Sequence, residues 1–412
     1  MIKNINKPSE FPCSGCGACV SVCPKNAVSL SLDNTGFFTA NIDESLCIDC
    51  GLCQRVCTRY DQIIEGVNLY DAQLFAMQSS DEKIVKKCTS GGFAHELSVE
   101  AINNGYKVVG AVYDTESDSV VHKIVESAEN VSLLDGSKYL QSNTQPAFRT
   151  VIEEAKKNSD ARFAVFGTPC QIAGIVKAAK IAGVRDSFIL VEIFCHGVPS
   201  YKLWNKECSY LRQKLSADKF DSVLFRYKKD DWHSYCLKVD ANGKTYFGAR
   251  ETDLFWQVFF ENVLLGPACQ TCRMRKETSL ADLRIGDYWG QKFEHRSDGV
   301  SAVLACTKQG ENAVCNLIKN QKLNRLEATD AKDMLSAQNM GGYHQSELYN
   351  KTIAVLREND DVMDAINYYR SNQSGKQKLK RILLKVSAII PDGLRAKLRK
   401  ANSSRMLRKN NS

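Results

Sequence analysis

The chain has 412 residues, of which 43% are hydrophobic and 25% are charged, and its formal net charge is +8 at pH 7. This length predicts two or three domains, and the composition is that of an ordinary globular protein. No apolar run approaches the ~18 residues of a membrane-spanning helix, which argues against an integral membrane protein. The 17 cysteines indicate metal chemistry, and free thiolates in such number predict a reducing compartment, the cytoplasm.

Two copies of one cysteine spacing open the chain: Cys13, Cys16, Cys19 and Cys23 before Pro24, then Cys47, Cys50, Cys53 and Cys57 before Thr58. Such a run gives three thiolates to one [4Fe–4S] cluster, and its fourth cysteine ligates the other cluster. We therefore expect one cluster on Cys13, Cys16, Cys19 and Cys57, and a second on Cys47, Cys50, Cys53 and Cys23. Residues 8–62 resemble the two-cluster bacterial ferredoxins. Zinc and disulfides are the alternatives, and the triple spacing disfavours zinc.

The next segment predicts a short strand over residues 72–77, a helix over 93–103, and a hairpin of strands over 107–113 and 120–125. Ser90-Gly91-Gly92 lies directly before the helix. Glycines there leave backbone N–H groups uncovered, which suits a phosphate at the helix N-terminus. A plain loop is the alternative interpretation of so short a motif.

Two strand–turn–helix units follow, with strands over residues 163–166 and 188–194 and helices over 171–182 and 201–215. Consecutive units of this kind predict parallel strands. Both turns then lie at the carboxyl edge of one sheet, where α/β proteins place ligands. Each turn contains a cysteine, Cys170 or Cys195, and the helix dipole beside Cys170 favours its thiolate form.

A lone C-x2-C, Cys269 and Cys272, follows a predicted core helix over residues 254–260. Such a pair can bind zinc, form a redox disulfide or have no function. Together with the two sheet-edge cysteines it predicts a third four-thiolate site. The remaining cysteines lack partners at ligand spacing and are expected in the core; they are Cys208, Cys236, Cys306 and Cys315. Cys88 is expected to be a small buried side chain, with a redox role as the alternative.

Six motifs stand in a fixed order along the chain: Ser90-Gly91-Gly92, residues 136–142, residues 167–171, residues 194–197, the C-x2-C pair, and residues 286–290. The ordered set, over about residues 82–335, resembles the beta subunit of coenzyme F420-reducing hydrogenase and of F420 dehydrogenases. The bacterial form of that family is fused to a two-cluster ferredoxin. Each motif is weak alone, and the order makes the resemblance specific.

The resemblance implies a non-covalent FAD and a further [4Fe–4S] cluster. The cluster role transfers to Cys170, Cys195, Cys269 and Cys272. The flavin-binding role transfers to Ser90, Gly91, Gly92, Lys138, Tyr139, Ser142, Gly167 and Thr168, with the phosphates near residues 90–92 and the ring near Lys138 and Cys170.

Lys138 and His196 are the candidate catalytic residues. Lys138 can place positive charge near the flavin or its phosphates, and His196, next to Cys195, can donate a hydrogen bond to sulfur or protonate a substrate. The alternatives are an exposed loop lysine and a histidine satisfied by backbone groups near its turn.

The expected fold class is α+β or α/β. A small ferredoxin-like domain (residues 1–65) precedes two segments of a mixed α/β flavin and iron–sulfur domain (66–158 and 159–340). A helical region with a basic tail (341–412) follows. The first domain is expected on its own linker, accessible to an electron donor.

The expected function is a flavin- and iron–sulfur-dependent oxidoreductase that passes electrons between ferredoxin-type clusters and a hydride-exchanging substrate through FAD. Ferredoxin or another redox protein is the expected electron donor. The substrate is a small molecule, either F420 or another compound. Two alternatives are a non-catalytic electron-transfer subunit of a larger redox complex, and a structural or assembly protein that keeps the clusters for stability.

Residues 371–412 contain 12 Lys or Arg and one Asp, a net charge of +11. An apolar stripe predicts an amphipathic helix that Pro391-Asp392-Gly393 ends; its members are Leu379, Ile382, Leu383, Val386 and Ile390. One interpretation is peripheral contact with the anionic inner face of the cytoplasmic membrane. The other is a solvated tail whose stripe docks on its own domain. Nucleic acid is not expected as a partner, because the tail has no aromatic residue to stack on bases.

Overall fold

The structure is a computed structural model that describes residues 3–61, 65–229, 231–326, 331–338, 340–341, 343 and 345–387. Pro391-Asp392-Gly393, predicted to end the tail helix, lies outside the described residues, as does Ile390 of the apolar stripe.

The strands, in chain order, are β1 Val28–Leu32, β2 Phe38–Ile42, β3 Val67–Asn68, β4 Gln73–Ser79, β5 Lys107–Asp114, β6 Ser119–Val125, β7 Ser142–Asn143, β8 Phe163–Gly167, β9 Phe188–Ile193, β10 Ser222–Leu224, β11 Cys236–Ala241, β12 Lys244–Ala249, β13 Thr278–Ser279, β14 Leu283–Asp287, β15 Ser301–Ala305 and β16 Leu323–Leu326.

The α-helices are α1 Ala18–Ser21, α2 Leu52–Val56, α3 Glu82–Lys87, α4 Phe93–Asn103, α5 Gln145–Lys157, α6 Pro169–Ala182, α7 Tyr201–Leu215, α8 Leu254–Glu261, α9 Pro267–Gln270, α10 Lys308–Lys319, α11 Ala331–Ser336, α12 Glu347–Glu358, α13 Val362–Ser371 and α14 Gly375–Ser387.

A nine-stranded mixed sheet organises the fold, in the order β16-β4-β15-β14-β9-β8-β5-β6-β7. Its centre is parallel, since β14, β9, β8 and β5 all run in one direction. β8 and β9 are buried along almost their whole length, as expected for central parallel strands covered on both faces. The carboxyl ends of β8, β9 and β14 therefore meet at one edge of the sheet, where the candidate site lies.

The sheet joins the two segments predicted for the main domain. β4 to β7 precede the predicted boundary at residues 158/159, β8 follows it, and β5 pairs with β8 in parallel. Hydrophobic cores pack on the sheet; the larger one includes Phe148, Phe163, Ile172, Trp204 and Trp256. The fold is thus a mixed α/β fold with a small N-terminal module attached.

The N-terminal module contains the β1–β2 hairpin and the short helices α1 and α2. Gly17 precedes α1 and Gly51 precedes α2, with φ of 77° and 78°. A side chain with a Cβ is strained at such positive φ. The two cysteine runs therefore share one local conformation, with a glycine at positive φ two residues before the third cysteine.

The module is docked on the main domain, so the expectation of an independently linked module is wrong. Gln141 accepts a hydrogen bond from the Phe38 N–H (2.7 Å) and donates to the Ser14 carbonyl (3.0 Å). Thr144 donates to the Cys16 carbonyl (2.9 Å). Because side chains of the main domain satisfy backbone groups of the module, separating them would expose unpaired polar groups.

The predicted elements are confirmed with small shifts at their ends. The helices predicted over 93–103 and 201–215 have those bounds, and β5 and β6 form the predicted antiparallel hairpin. The helix predicted from residue 171 begins at Pro169, since Thr168 and Gln171 form a capping box around its first turn.

The unpaired cysteines divide into two groups. Cys208, Cys236 and Cys306 are buried as expected, and so is Cys88. Cys315 is exposed on α10, which corrects its assignment to the core. On this amphipathic helix the apolar face that packs inward includes Val314 and Leu317, and Cys315 lies outside it.

The start of the tail forms α14, and its apolar stripe faces outward within the described residues. Leu379, Ile382 and Leu383 are 57%, 55% and 59% exposed. For these positions, docking of the stripe on the chain's own domain is therefore wrong. Among the described residues, none of the helices has the length and apolar character that crossing a membrane requires.

Candidate functional site

The twelve cysteines predicted as cluster ligands line two cavities. Four line a small cavity at the outer side of the N-terminal module: Cys23, Cys47, Cys50 and Cys53. Of these, Cys50 is exposed and Cys53 is buried. The exchange of the fourth cysteine is visible here, because Cys23 comes from the first run and the other three come from the second.

The other eight cysteines line one larger cavity between the module and the main domain. Half of them come from the module: Cys13, Cys16, Cys19 and Cys57. The other half are the main-domain set: Cys170, Cys195, Cys269 and Cys272. One cavity is thus lined by cysteines of both parts of the chain, four from each.

The main-domain cysteines reach this cavity from three places. Cys170 lies in the first turn of α6, directly after β8, and Cys195 follows β9. Because β8 and β9 are neighbouring parallel strands, their following turns are adjacent. Cys269 lies on α9, which begins at Pro267, and Cys272 follows that helix. Four thiolates converging from a sheet edge and a short helix are suited to a [4Fe–4S] cluster.

Burial dominates the electrostatics of these metal-free thiols. It raises the pKa of Cys170 well above the ordinary value, against the lowering effect of the Thr168 hydroxyl 3.2 Å away. Burial likewise raises the pKa of Cys195 to about 11 and of Cys269 to about 12. The expected thiolate preference of Cys170 from the helix dipole is therefore outweighed. A bound metal would supply the charge that deprotonates such thiols.

Two buried arginines brace the C-x2-C segment. Arg275 donates to the carbonyls of His196 and Cys269. Arg284 donates to the carbonyls of Lys276 and Met274 and pairs with buried Glu192. Both guanidinium groups lower the pKa of Cys195. The loop that presents Cys272 is therefore fixed, and two positive charges lie near the main-domain thiols.

A second cavity, of about 390 Å³, adjoins the cysteine cavity. This volume lies within the range of small-molecule sites. The two cavities share Ser142, Thr168, Gln171, Cys195, Gly197 and Val198 in their walls. We call this second cavity the cleft. Cys195 thus faces both the proposed cluster position and the cleft.

Most of the flavin-binding residues implied by the resemblance line the cleft: Ser90, Gly92, Lys138, Tyr139, Ser142, Gly167 and Thr168. Gly91 instead packs against the sheet. A Cβ at this position would lie 2.5 Å from the Met77 carbonyl oxygen and 2.7 Å from the Ser301 nitrogen. Its glycine is required by the close approach of the loop to β4 and β15, and a larger residue would disturb the sheet before it disturbed the cleft.

The loop before α4 leaves the first turn of that helix open. Gly92 is the N-cap residue at φ 90°, and no side chain caps the helix. The Ser90 hydroxyl donates to the Val300 carbonyl (2.9 Å), and the Lys228 ammonium donates to the Ser90 carbonyl (2.6 Å). This end of the cleft combines uncapped backbone N–H groups with nearby positive charge, which suits an anionic group.

Lys138 has a structural role in addition to its place in the cleft wall. Its ammonium donates to three backbone carbonyls, those of Leu133, Leu134 and Asp135, at 3.2, 2.9 and 2.9 Å. An ammonium has three N–H donors, so all are accounted for. Burial lowers the pKa of Lys138 to about 8. The residue therefore closes the loop that bounds the cleft.

His196 lies in the cleft wall within a network of polar and aromatic partners. Its Nε2 is 2.7 Å from Asn262 Oδ1, and the Tyr343 hydroxyl is 3.0–3.1 Å from both ring nitrogens. The Phe259 ring lies 4.9 Å away. Burial lowers the pKa of His196. The histidine is held by side chains, whereas the sequence suggested backbone partners as the alternative.

The cleft also has aromatic residues in its wall; Trp289 belongs to the motif over residues 286–290, and the sequence did not single out the other three. Tyr235, Phe259, Phe260 and Trp289 form an aromatic wall. Behind it, Asp287 pairs with Arg226 and accepts from Trp232 Nε1 at 2.8 Å. Only tertiary packing brings these segments together, and the aromatic run over residues 254–260 was the one available signal.

His122 is another cleft residue that the sequence did not single out. It is buried, lines the cleft, and places Nε2 3.0 Å from the Phe166 carbonyl oxygen. That contact makes Nε2 the N–H donor, so Nδ1 is an acceptor. Nδ1 is buried and has no hydrogen-bond partner within the described part of the chain. Burial lowers the pKa of His122 to about 4, so the ring is neutral. A buried unpaired acceptor at a cavity wall fits a ligand N–H or O–H.

Comparison with known proteins agrees with this arrangement. Residues 160–331 match the family model for the C terminus of the beta subunit of coenzyme F420 hydrogenase/dehydrogenase, and residues 12–59 match the 4Fe-4S dicluster domain. One subunit of the F(420)H(2) dehydrogenase from Methanosarcina mazei is 28% identical over 190 residues, covering 43% of this chain and 51% of that protein.

The coenzyme F420-dependent sulfite reductase of Methanocaldococcus jannaschii is 24% identical over 375 residues, covering 85% of this chain and 51% of that protein. The matched regions thus span about half the length of these two relatives. A chain of the F420-reducing [NiFe] hydrogenase complex from Methanosarcina barkeri aligns over 74% of this chain and 92% of its own length, with 17% identity. Its TM-score of 0.45 is too low to support an argument.

The protein is therefore an iron–sulfur redox protein related to coenzyme F420 hydrogenase/dehydrogenase beta subunits through residues 160–331, with a 4Fe-4S dicluster domain at residues 12–59.

Proposed function

We propose that the protein is an oxidoreductase that passes electrons between three [4Fe–4S] clusters and a hydride-exchanging small molecule through FAD. The observation that supports this most is the order of the cavities. The outer four-cysteine cavity, the eight-cysteine cavity and the cleft follow one another, and Cys195 lies in the wall between the last two.

The cleft residues suit FAD in several ways. The uncapped start of α4 and the ammonium of Lys138 favour the phosphates at one end. The neutral His122 offers its Nδ1 to a ring N–H or a hydroxyl. The aromatic wall supplies a flat apolar surface for a ring system. When bound, a flavin accepts two electrons as hydride and releases them singly, which matches a site next to one-electron clusters.

The residues around the cleft would control access and orientation. Tyr235, Phe259 and Phe260 exclude water from one wall, and His196 is oriented by Asn262 and Tyr343. Cys50 is exposed beside the outer cavity, with Leu46 49% and Ile48 57% exposed nearby. An electron-donor protein such as ferredoxin would contact this outer face.

Two other functions remain testable alternatives. A non-catalytic electron-transfer subunit would hold the clusters and pass electrons to a partner enzyme. An assembly or structural protein would keep the clusters for stability alone. The cleft favours the oxidoreductase, because neither alternative needs a small-molecule cavity that shares a wall with cluster ligands.

The third cluster is tested by replacing one main-domain ligand. The Cys170→Ser variant, purified without oxygen, should lose about four of about twelve iron atoms per chain, since Cys170 is one of the four proposed ligands of the main-domain cluster. Iron and acid-labile sulfide analysis measures this loss. The matched control is Cys315→Ser on exposed α10, which should keep all the iron. About eight iron atoms in the wild type, unchanged in Cys170→Ser, would refute the third cluster. Zinc in place of iron would refute all three clusters.

The flavin is tested by filling the cleft. Ile193, at the end of β9, lines the cleft and is 36% exposed. An Ile193→Trp change should lower the FAD retained on purification about fivefold or more, since overpacking typically costs ~1–3 kcal/mol. The readout is flavin released by acid, quantified by chromatography.

The control for that experiment is Leu224→Trp, because Leu224 is 38% exposed at the end of the outer strand β10. It should retain flavin like the wild type, and both variants should keep their iron. Equal flavin in the two variants would place the cofactor elsewhere.

The direction of electron flow is tested by rapid mixing. We expect reduced ferredoxin to bleach the clusters first and the flavin afterwards, because the outer cavity is the exposed end of the series. Stopped-flow absorption under anaerobic conditions resolves the two phases. Rapid bleaching by reduced F420, with none by reduced ferredoxin, would show the opposite direction.

The tail is proposed to contact an anionic membrane surface, since its apolar stripe is exposed and its net charge is +11. Each Lys or Arg near such a surface contributes about 1 kcal/mol. The full chain should float with anionic liposomes at low salt, and a triple change of Leu379, Ile382 and Leu383 to Ser should reduce this recovery severalfold. Removal of residues 371–412 should abolish it. Equal recovery of all three forms would show that the tail does not bind the membrane and is solvated.

A further inference from the structure

A third group of metal-ligating side chains lies in the cleft, apart from the twelve cysteines discussed above. Cys88 follows α3, His95 lies in the first turn of α4, and Asp135 follows the 3₁₀-helix Ala128–Leu133. All three line the cleft. Their ligand atoms lie within 4.8 Å of one another. Three separate segments thus converge on one point of the cleft wall.

The distances among these atoms fit coordination of one small metal ion. Asp135 Oδ1 is 2.9 Å from His95 Nδ1 and 3.8 Å from Cys88 Sγ. Bond lengths of ~2.0–2.3 Å at tetrahedral angles separate ligand atoms by about 3.4–3.6 Å. Movements of a few tenths of an ångström in the two contacts of Asp135, and of at most about 1.3 Å between Cys88 Sγ and His95 Nδ1, would bring the three atoms to these separations.

The donor types and charges favour zinc. One thiolate, one imidazole and one carboxylate are the ligands that zinc takes in proteins. A thiolate and a carboxylate balance the charge of a divalent cation, which is required in a site where the side chains of His95 and Asp135 are only 12% and 7% exposed. The second oxygen of Asp135 pairs with Lys87 at 3.2 Å. That contact orients the carboxylate from outside the ligand set.

We propose that Cys88, His95 and Asp135 bind one Zn²⁺ ion, whose fourth ligand is an oxygen atom facing the cleft. Cys88 binds as the thiolate, and its proton leaves to solvent. Three protein ligands with one open position are the arrangement of zinc sites that act on a bound molecule, whereas structural zinc sites are closed by four. The ion would polarise an oxygen of the molecule in the cleft. This inference uses residues separate from the twelve cysteines and is independent of whether FAD is the cofactor.

The test uses the full chain with its clusters, equilibrated anaerobically with ZnCl₂ and then dialysed against metal-free buffer. Elemental analysis should find about one zinc per chain in addition to the iron. X-ray absorption at the zinc edge should show one sulfur neighbour and two or three nitrogen or oxygen neighbours. Zinc that had entered a vacant cluster position would show four sulfur neighbours, and that result would overturn the proposal.

Substitution of each proposed ligand tests whether that residue binds the zinc ion. Cys88→Ser, His95→Gln and Asp135→Asn should each weaken zinc binding at least tenfold in a competition titration with a chelator. Cys315→Ser, an exposed cysteine outside the cleft, is the matched control and should bind like the wild type. Unchanged iron content and thermal unfolding show that a variant is folded. If one variant is not folded, the other two still test whether zinc binds at this site. Zinc binding equal in folded variants and wild type, or absent from the wild type, would refute the site.

Discussion

The close packing of the N-terminal module against α6 is the contact on which the arrangement of the site depends. Gly174 on α6 faces Ala18 and Cys16, and a Cβ added to it would lie 2.8 Å from Ala18 Cβ and 3.1 Å from Cys16 Sγ. The same helix presents Cys170 one turn earlier. Because Gly174 has no side chain, the module approaches the helix closely at this position, and cysteines of both parts line a single cavity.

Polar contacts hold this packing in register. Gln141 and Thr144 lie around β7, next to Ser142 of the cleft wall, and bond backbone groups of the module. Lys177, one turn after Gly174, pairs with Asp61 at 2.6 Å. The residues that dock the module therefore adjoin those that line the cleft. A disturbance at this interface would change both the cysteine cavity and the cleft.

The cleft itself combines two environments. One end has glycines, Lys138 and an open helix start, and the other has aromatic rings backed by the Arg226–Asp287 pair. Burial keeps His122 neutral and lowers the pKa of Lys138. Such contrast between a charged end and an apolar end suits a molecule with phosphates and a ring system. The Cys88, His95 and Asp135 group adds a third chemical function to the same wall.

Local patterns in the sequence determined the ligand groups of the two cysteine runs and several of the strands and helices. The two cysteine runs specify their own ligand groups because three ligands of each cluster are neighbours in the chain. The strand–turn–helix units around β8 and β9 follow from apolar runs and a capping box, which are also local. The helices over 93–103 and 201–215 were predicted to the residue.

Tertiary structure alone decided the rest. The sequence could not show that β14 lies beside β9, or that the module docks on α6, since both depend on contacts between residues far apart in the chain. It assigned Gly91 to the cofactor site, whereas the glycine serves the approach of a loop to the sheet. It also did not single out His122, His95 and Asp135, because the role of a single polar residue depends on which residues the fold places beside it.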